Sequence, residues 1–276
     1  SNNNCFVHNF LIIIFAMSLL NYLTKIKIFK RVIPSIVKRI LKLLGKNIFI
    51  YEFDNLKLII NLNEPMDQLI FFHNEYEKEQ INFLTTNIKD FNPNIFIDVG
   101  ANSGIYSLQV GKNFPDVKIV SFEPVKETFL KFKKNILLNK NIRNIKAYNL
   151  GLSDQNQSLE MKALKKNGYI QQGGFGVVSQ NENTLSLHTE FALFKKGDEQ
   201  FDLKNNIIFI KIDVEGHELS VLNGMAELIS NNNIFMQVEI FDHLFDKTNN
   251  FLNENNFKII HKIFSDGKTD YYYKNF

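Results

Sequence analysis

The sequence predicts an α/β domain, a mostly parallel sheet with helices on both faces, and three observations carry that expectation. The stretch 94–104 joins a short β-branched apolar run, Ile95-Phe96-Ile97-Asp98-Val99, to a loop bounded by Gly100 and Gly104 and then to a helical pattern. Strand, glycine loop and helix form the opening unit of nucleotide-binding folds. Similar runs at 117–122, 145–149, 207–212 and 234–240 alternate with helical patterns near 125–139 and 219–229, which implies parallel strands joined by crossover helices. Polar groups recur where these runs end, at Asp98, Glu123 and Ser153-Asp154, and open sheets bind ligands at those carboxyl ends.

At 276 residues the chain suits one large domain, alone or with appendages, and an apolar fraction of 45% is enough for a real core. Heavy use of Phe, Ile, Asn and Lys reads as genome bias. The single cysteine, Cys5, excludes an internal disulfide framework and a cysteine metal cluster, and it fits a reducing, cytoplasmic setting. The apolar run Phe10 to Leu20, extended weakly to Leu23, is short against the roughly 20 residues a membrane span needs. It reads either as a signal anchor or as residues ahead of a natural start at Met17, and the second is preferred because the chain opens on Ser1.

Eight cations and no acid lie between Thr24 and Lys46, so the remainder of a chain at +3 nets −5. That balance argues against a nucleic-acid partner. After Pro34 the pattern predicts a helix capped by Ser35, with Ile36, Val37, Ile40, Leu41 and Leu44 on one face and Gly45 as its stop. Such a basic amphipathic helix either lies on an anionic membrane at its inner face, through residues 24–46, or packs on the domain with its charges in solvent.

The chain divides into this N-terminal segment (1–46), a brace (47–91) and the main domain (92–276). The brace is a hairpin, 48–51 and 56–60 around Asp54-Asn55, and a helix near 76–89 that ends before Asn92-Pro93. In the main domain Ser103 is the expected cap of the helix near 103–112, and Val125, Phe129, Phe132 and Ile136 share a face of the helix near 125–139. From 158 to 206 the pattern loosens, and 168–180 reads as a substrate-facing loop or a surface excursion. The runs 257–264 and 270–274 around Ser265-Asp266-Gly267 make a final hairpin.

Two departures from the dinucleotide fingerprint bear on the ligand. Asn102 stands where a second glycine would let a pyrophosphate approach, and Asp98 would repel one. A cationic nucleoside without phosphate, S-adenosylmethionine, reverses that sign. Glu123 follows Gly104 by 19 positions, near the offset at which an acid meets ribose hydroxyls. A nicotinamide-dependent oxidoreductase and a non-catalytic membrane-associated module are the rivals. The first lacks its second glycine, and the second leaves the acids at strand ends unexplained.

Asp-Val-Gly-Ala-Asn-Ser-Gly at 98–104, Phe-Glu-Pro at 122–124 and Lys-Ile-Asp-Val-Glu-Gly-His-Glu at 211–218 together resemble the FkbM family of S-adenosylmethionine-dependent methyltransferases, as does Tyr76-Glu77 upstream. The resemblance spans about residues 75–275. It implies a Rossmann-like class I methyltransferase fold, a seven-stranded sheet closed by a hairpin with one antiparallel strand. It also implies O-methyl transfer to a sugar hydroxyl of a bacterial surface glycan or a sugar-nucleotide precursor. Glu77, Asp98, Gly100, Ala101, Asn102, Gly104, Glu123, Ser153 and Asp154 are the expected cofactor residues, with Ser153-Asp154 at the adenine edge or merely a turn. Asp213, Glu215 and His217 are the expected catalytic residues, His217 as general base. The plainer alternatives are a helix cap for Asp213, a favourable helix-terminus charge for Glu215 and a sharp turn for Gly216. Glu239 and His243 are weaker catalytic candidates. Asp213, Glu239 and Asp242 could converge, as acids in any such cleft could, but no metal-ligand spacing is convincing and no metal is assigned.

Overall fold

The computed structural model describes residues 29–166, 169–170, 176–177, 187–265 and 267–276. The apolar run 10–23 and most of the loop 168–180 lie outside them. The chain separates into two compact units, one ending at Tyr76 and one running Glu77–Phe276.

The first unit holds α1 (Phe29–Leu43), β1 (Ile48–Phe53), β2 (Leu56–Asn61) and α2 (Pro65–His73). α1 corrects the expected helix start: Pro34 lies inside the helix and Ser35 is not its cap. Proline removes one backbone donor, and the helix runs on past the gap. β1 and β2 form the expected hairpin. Asp54 and Asn55 both take left-handed φ, at 46° and 58°, as a two-residue turn of matching twist requires. Leu56, Leu58 and Ile60 are buried on one face of β2, and the Phe71 ring meets Phe49 at 5.0 Å and Tyr51 at 5.5 Å. Among the described residues no helix is long and apolar enough to cross a membrane.

The second unit begins with α3 (Lys78–Phe91), a helix that the sequence groups with the hairpin, and continues through β3 (Ile95–Val99), α4 (Ile105–Asn113), β4 (Lys118–Phe122), α5 (Lys126–Leu138) and β5 (Ile145–Tyr148). Next come β6 (Gly151–Ser153), β7 (Gln157–Lys166), β8 (Tyr169–Ile170), β9 (Gly176–Val177), β10 (Leu187–Lys196) and β11 (Ile207–Ile212). The chain ends with α6 (Glu218–Gly224), α7 (Ala226–Ser230), β12 (Asn233–Phe241), α8 (Phe245–Glu254), β13 (Lys258–Ser265) and β14 (Lys268–Lys274).

Seven strands form the main sheet in the order β13-β14-β12-β11-β3-β4-β5. All pairings from β12 to β5 are parallel, and β14 alone runs against its neighbours. This is the expected class I methyltransferase arrangement. The order reverses between β3 and β11, and the crevice above that reversal is where such sheets take ligands. Every residue of β3 is buried, because both faces of the sheet are covered. One face packs the aliphatic core around Ile97, Val99, Ile210 and Ile212. The other is aromatic, with Phe209 stacked on Phe235 at 4.4 Å and Phe83 of α3 edge-on to Tyr272 at 4.5 Å.

Three local expectations are corrected. The loosened region contains a second sheet, ordered β6-β10-β7-β8 with β9 beside β7. Its alternation is hidden because Phe191 and Leu193 of β10 face solvent while Ala192 and Phe194 between and beside them are buried. Ser103 does not cap α4; Gly104 holds that position at φ 82°, without a side-chain bond. The helical pattern after Asp213 is two short helices meeting at Met225.

Candidate active site

The glycine loop is built by backbone contacts. The N–H groups of Gly100 and Ala101 both donate to the Phe122 carbonyl at 3.0 Å, and Asp213 N–H donates to the Val99 carbonyl at 3.0 Å. These bonds join the ends of β3, β4 and β11. At Gly100, φ is +83° and an added Cβ would lie 1.9 Å from the Asp213 carbonyl oxygen, so only glycine fits. Gly104 is constrained from the other side, where a Cβ would meet the Phe132 ring at 1.9 Å.

Glu123 locks onto this loop. Its two carboxylate oxygens accept from Asn102 N–H at 2.9 Å and Val125 N–H at 2.8 Å. Burial nevertheless pushes its carboxyl up to about 7, against the pull of those two bonds. A carboxylate accepts about four hydrogen bonds, which leaves room for two more donors.

A cleft of about 580 Å³, open mouth included, lies over these strand ends. Gly100, Asn102, Glu123, Asp213, Glu215 and His217 line it, among the residues the sequence singled out. Leu152 of β6 and Met161 and Phe194 of the second sheet add apolar walls. The other expected cofactor residues are not among this lining. Ala101 and Gly104 are buried in the loop, and Ser153 is buried beneath the cleft. Asp98 is fully buried below the loop, where Oδ2 accepts from Ser107 Oγ at 2.5 Å and Oδ1 has no partner. Burial raises its pKa. Glu77 stands at the head of α3 with a left-handed φ of 36°, and Tyr106 OH donates to its carboxylate at 2.7 Å.

A family model described as the methyltransferase FkbM domain matches residues 98–259, which holds the glycine loop, Glu123 and the 211–218 segment. The chain belongs to the FkbM methyltransferase family. Two curated relatives agree. Methyltransferase 1 of Beauveria bassiana is 27% identical over 150 residues, covering 48% of this chain and 58% of that protein. Methyltransferase sdnD of Sordaria araneosa is 30% identical over 162 residues, 48% of this chain and 60% of that one. The chain thus spans less than two thirds of either relative's length. A solved ribosomal protein L11 methylase from Lactobacillus delbrueckii subsp. bulgaricus is a loose likeness, 15% identical with a TM-score of 0.44 over 72% of this chain and 79% of that one. The fold rests on the strand order itself.

S-adenosylmethionine is the cofactor of this methyltransferase domain, and the residues present fit it. Glu123 keeps acceptor capacity toward a pair of ribose hydroxyls, and Leu152, Met161 and Phe194 offer apolar cover to a purine ring.

In the FkbM-family domain His217 lies toward β6. Its Nε2 is 3.0 Å from Ser153 Oγ, and Ser153 Oγ donates to Asp154 Oδ1 at 3.0 Å. A serine has one proton to give, so His217 Nε2 is the donor to Ser153. Burial lowers the His217 pKa, opposed by Asp154.

Beside the cleft lies an ionic cluster, of which Asp213 and Glu215 are lining residues. Lys211, nearly buried, donates to Asp213 Oδ2 at 2.9 Å and lies over the Tyr106 ring at 4.6 Å. Burial acts against its charge, but the carboxylates of Asp213, Asp98 and Glu77 outweigh it and raise the pKa. Lys268 pairs with Glu239, and with Glu215 at 3.5 Å. Burial would raise the Asp213 pKa, but Lys211 and Lys268 hold it low, and burial with Asp213 nearby pushes Glu239 up to about 8. Gln237 bridges Tyr106 OH at 3.3 Å and Asp270 at 2.9 Å, and Gln80 reaches the same acid at 3.2 Å.

Neither Asp213 nor Glu215 caps α6; His217 is at the cap position without a side-chain bond, and Glu218 accepts Gly216 N–H at 2.8 Å. Glu215 adopts a left-handed φ of 50° beside Gly216 at 97°, a turn that brings its carboxylate over the cleft. His243 and Asp242 are not among the cleft lining or the acid cluster. The sequence reading missed Lys211, Lys268, Gln237 and Asp270. Lys211 sits inside a quoted motif, and its signal was a lysine in an otherwise apolar strand.

Proposed function

We propose that the domain transfers a methyl group from S-adenosylmethionine to a hydroxyl oxygen of a hydroxyl-rich acceptor, a sugar or sugar nucleotide. The observation that carries this reading is the ionic cluster of Asp213, Glu215, Glu239 and Lys268, whose first two members line the cleft, a set of hydrogen-bond acceptors and donors suited to hydroxyl groups. When bound, the cofactor supplies a sulfonium methyl that an oxygen attacks in line. The acceptor proton must leave, and Glu215 is the residue we place as its base. It is half-buried on the cleft, and burial raises its pKa toward the working range of a general base. His217, its Nε2 given to Ser153, is placed at the purine edge of the cofactor.

Both curated relatives are fungal, so a bacterial surface glycan gains no support from them, and the reading stops at a hydroxylated acceptor. A panel of sugars and sugar nucleotides with methyl-labelled cofactor tests it. The expected product carries an O-methyl group by NMR and mass. Label found only on amine acceptors would sink the reading.

A second proposal concerns α1. Ile36, Ile40, Leu43 and Leu44 form one stripe and are 50%, 51%, 87% and 63% exposed, with Arg39 and Lys42 exposed on the same helix. That combination favours peripheral contact with an anionic leaflet. Binding to phosphatidylserine vesicles should vanish at about 0.5 M salt or when Lys38, Arg39 and Lys42 become Glu. Vesicle binding that survives both changes counts against it.

A further inference from the structure

Asp213, Glu215 and Glu239 offer carboxylate oxygens that all lie within 4.8 Å of one another, the spacing at which three acids hold a divalent cation. They are brought together by register. Val238 pairs with Ile212, which sets Glu239 beside Asp213, and the turn at Glu215 folds the third acid over them. The sheet also delivers a cation. Lys268, first residue of β14, pairs across from Phe241, while Asp270 pairs with Glu239. Alternation along a strand therefore puts Lys268 on the same face as Glu239, diagonal to it. Its ammonium contacts Glu239, lies 3.5 Å from Glu215 and sits over the Phe241 ring, 5.8 Å from the centroid.

We infer that Lys268 is a built-in cation that takes the place of a divalent metal among Asp213, Glu215 and Glu239, positioning their carboxyl groups around the acceptor. Three acids this close together must be matched before they can be held in a half-buried site. A lysine does this as a compact point charge with three donors, enough for the two acids it meets, Glu215 and Glu239. Lys211 serves Asp213 from below, so the wall carries two ammonium groups against its acids and needs no ion from solution. The one antiparallel strand of the main sheet acquires a role through this contact, since it alone brings the end of the chain back to the catalytic edge. The inference goes beyond the proposed reaction and does not depend on which acceptor is methylated.

The test uses Mn²⁺ as probe, read by electron paramagnetic resonance on the full chain. The unaltered protein is expected to take up no stoichiometric Mn²⁺. Lys268→Met keeps an unbranched apolar stem and removes the charge; it should bind about one equivalent, lost again in the double variant Lys268→Met, Glu239→Gln. Lys268→Ala serves as the second variant if the first fails to fold, judged by its melting curve. One equivalent bound by the unaltered chain and removed by Glu239→Gln would make the trio a metal site from which Lys268 moves aside. A folded Lys268 variant that binds no more Mn²⁺ than the unaltered chain would make the lysine's contacts incidental. Either result overturns the inference, and neither involves the cofactor or the acceptor.

Discussion

The two walls of the cleft are held by different forces. On the cofactor side the holding groups are backbone amides. Glu123 is fixed by two N–H donors, and the chain at Gly100 touches the Asp213 carbonyl. On the other side the holding groups are charges, Lys211 on Asp213 and Lys268 on Glu215 and Glu239. Backbone contacts fix one shape and suit a constant cofactor. An ionic wall can be re-cut by changing single side chains without disturbing the strands beneath, which suits the half of the site that selects an acceptor.

The sharpest way to break this contrast is Gly100→Ala. The new Cβ has no room beside the Asp213 carbonyl, so both walls shift, cofactor binding should fall below detection by calorimetry, and stability should drop by about 1–3 kcal/mol. Affinity within about threefold of the unaltered chain would mean that the two loops are not held as described.

Glu123→Ala confines the damage to one wall. It should weaken S-adenosylmethionine binding by about 1.5–3 kcal/mol, the scale of a hydrogen bond to a charged group, while Mn²⁺ behaviour at the other wall stays as it was. Unchanged affinity in a folded variant would remove Glu123 from the ribose role.

His217→Ala probes the boundary. With Nε2 committed to Ser153, the expected loss is about 0.5–1.5 kcal/mol of cofactor affinity with little change in turnover at saturating cofactor. A fall in turnover of about 10²-fold or more, affinity intact, would return His217 to the base role.

The smallest expected effect concerns pH. Glu218 is buried, burial pushes it up to about 7, and among the described residues its Oε2 has no partner. A carboxyl raised in the folded state stabilises fully below its unfolded value near 4.5 and loses that contribution as pH rises through about 7. Melting temperature should therefore decline over that interval, and Glu218→Gln should flatten the decline. An identical slope in the variant would assign it to other acids.

The chain by itself determined the cofactor wall. Strand, Gly100 to Gly104 and Glu123 lie within one βαβ unit, where short-range sterics and hydrogen bonding dictate the residue types and the spacing is nearly fixed. It also determined the sheet, because strands buried on both faces must be apolar runs. Tertiary structure alone decided the ionic wall. Lys211, Glu239 and Lys268 come from three strands, and only parallel register and the return of β14 bring their charges together. Nothing in a lone lysine after Asp266-Gly267 announces a partner 29 positions earlier at Glu239. His217 shows the same limit. Its residue type suggested a base, and only the fold brings Ser153, 64 positions away, to 3.0 Å from its Nε2. Chemistry that depends on neighbouring residues in sequence can be read from the chain; chemistry that depends on which strands lie side by side is set only when the sheet has formed.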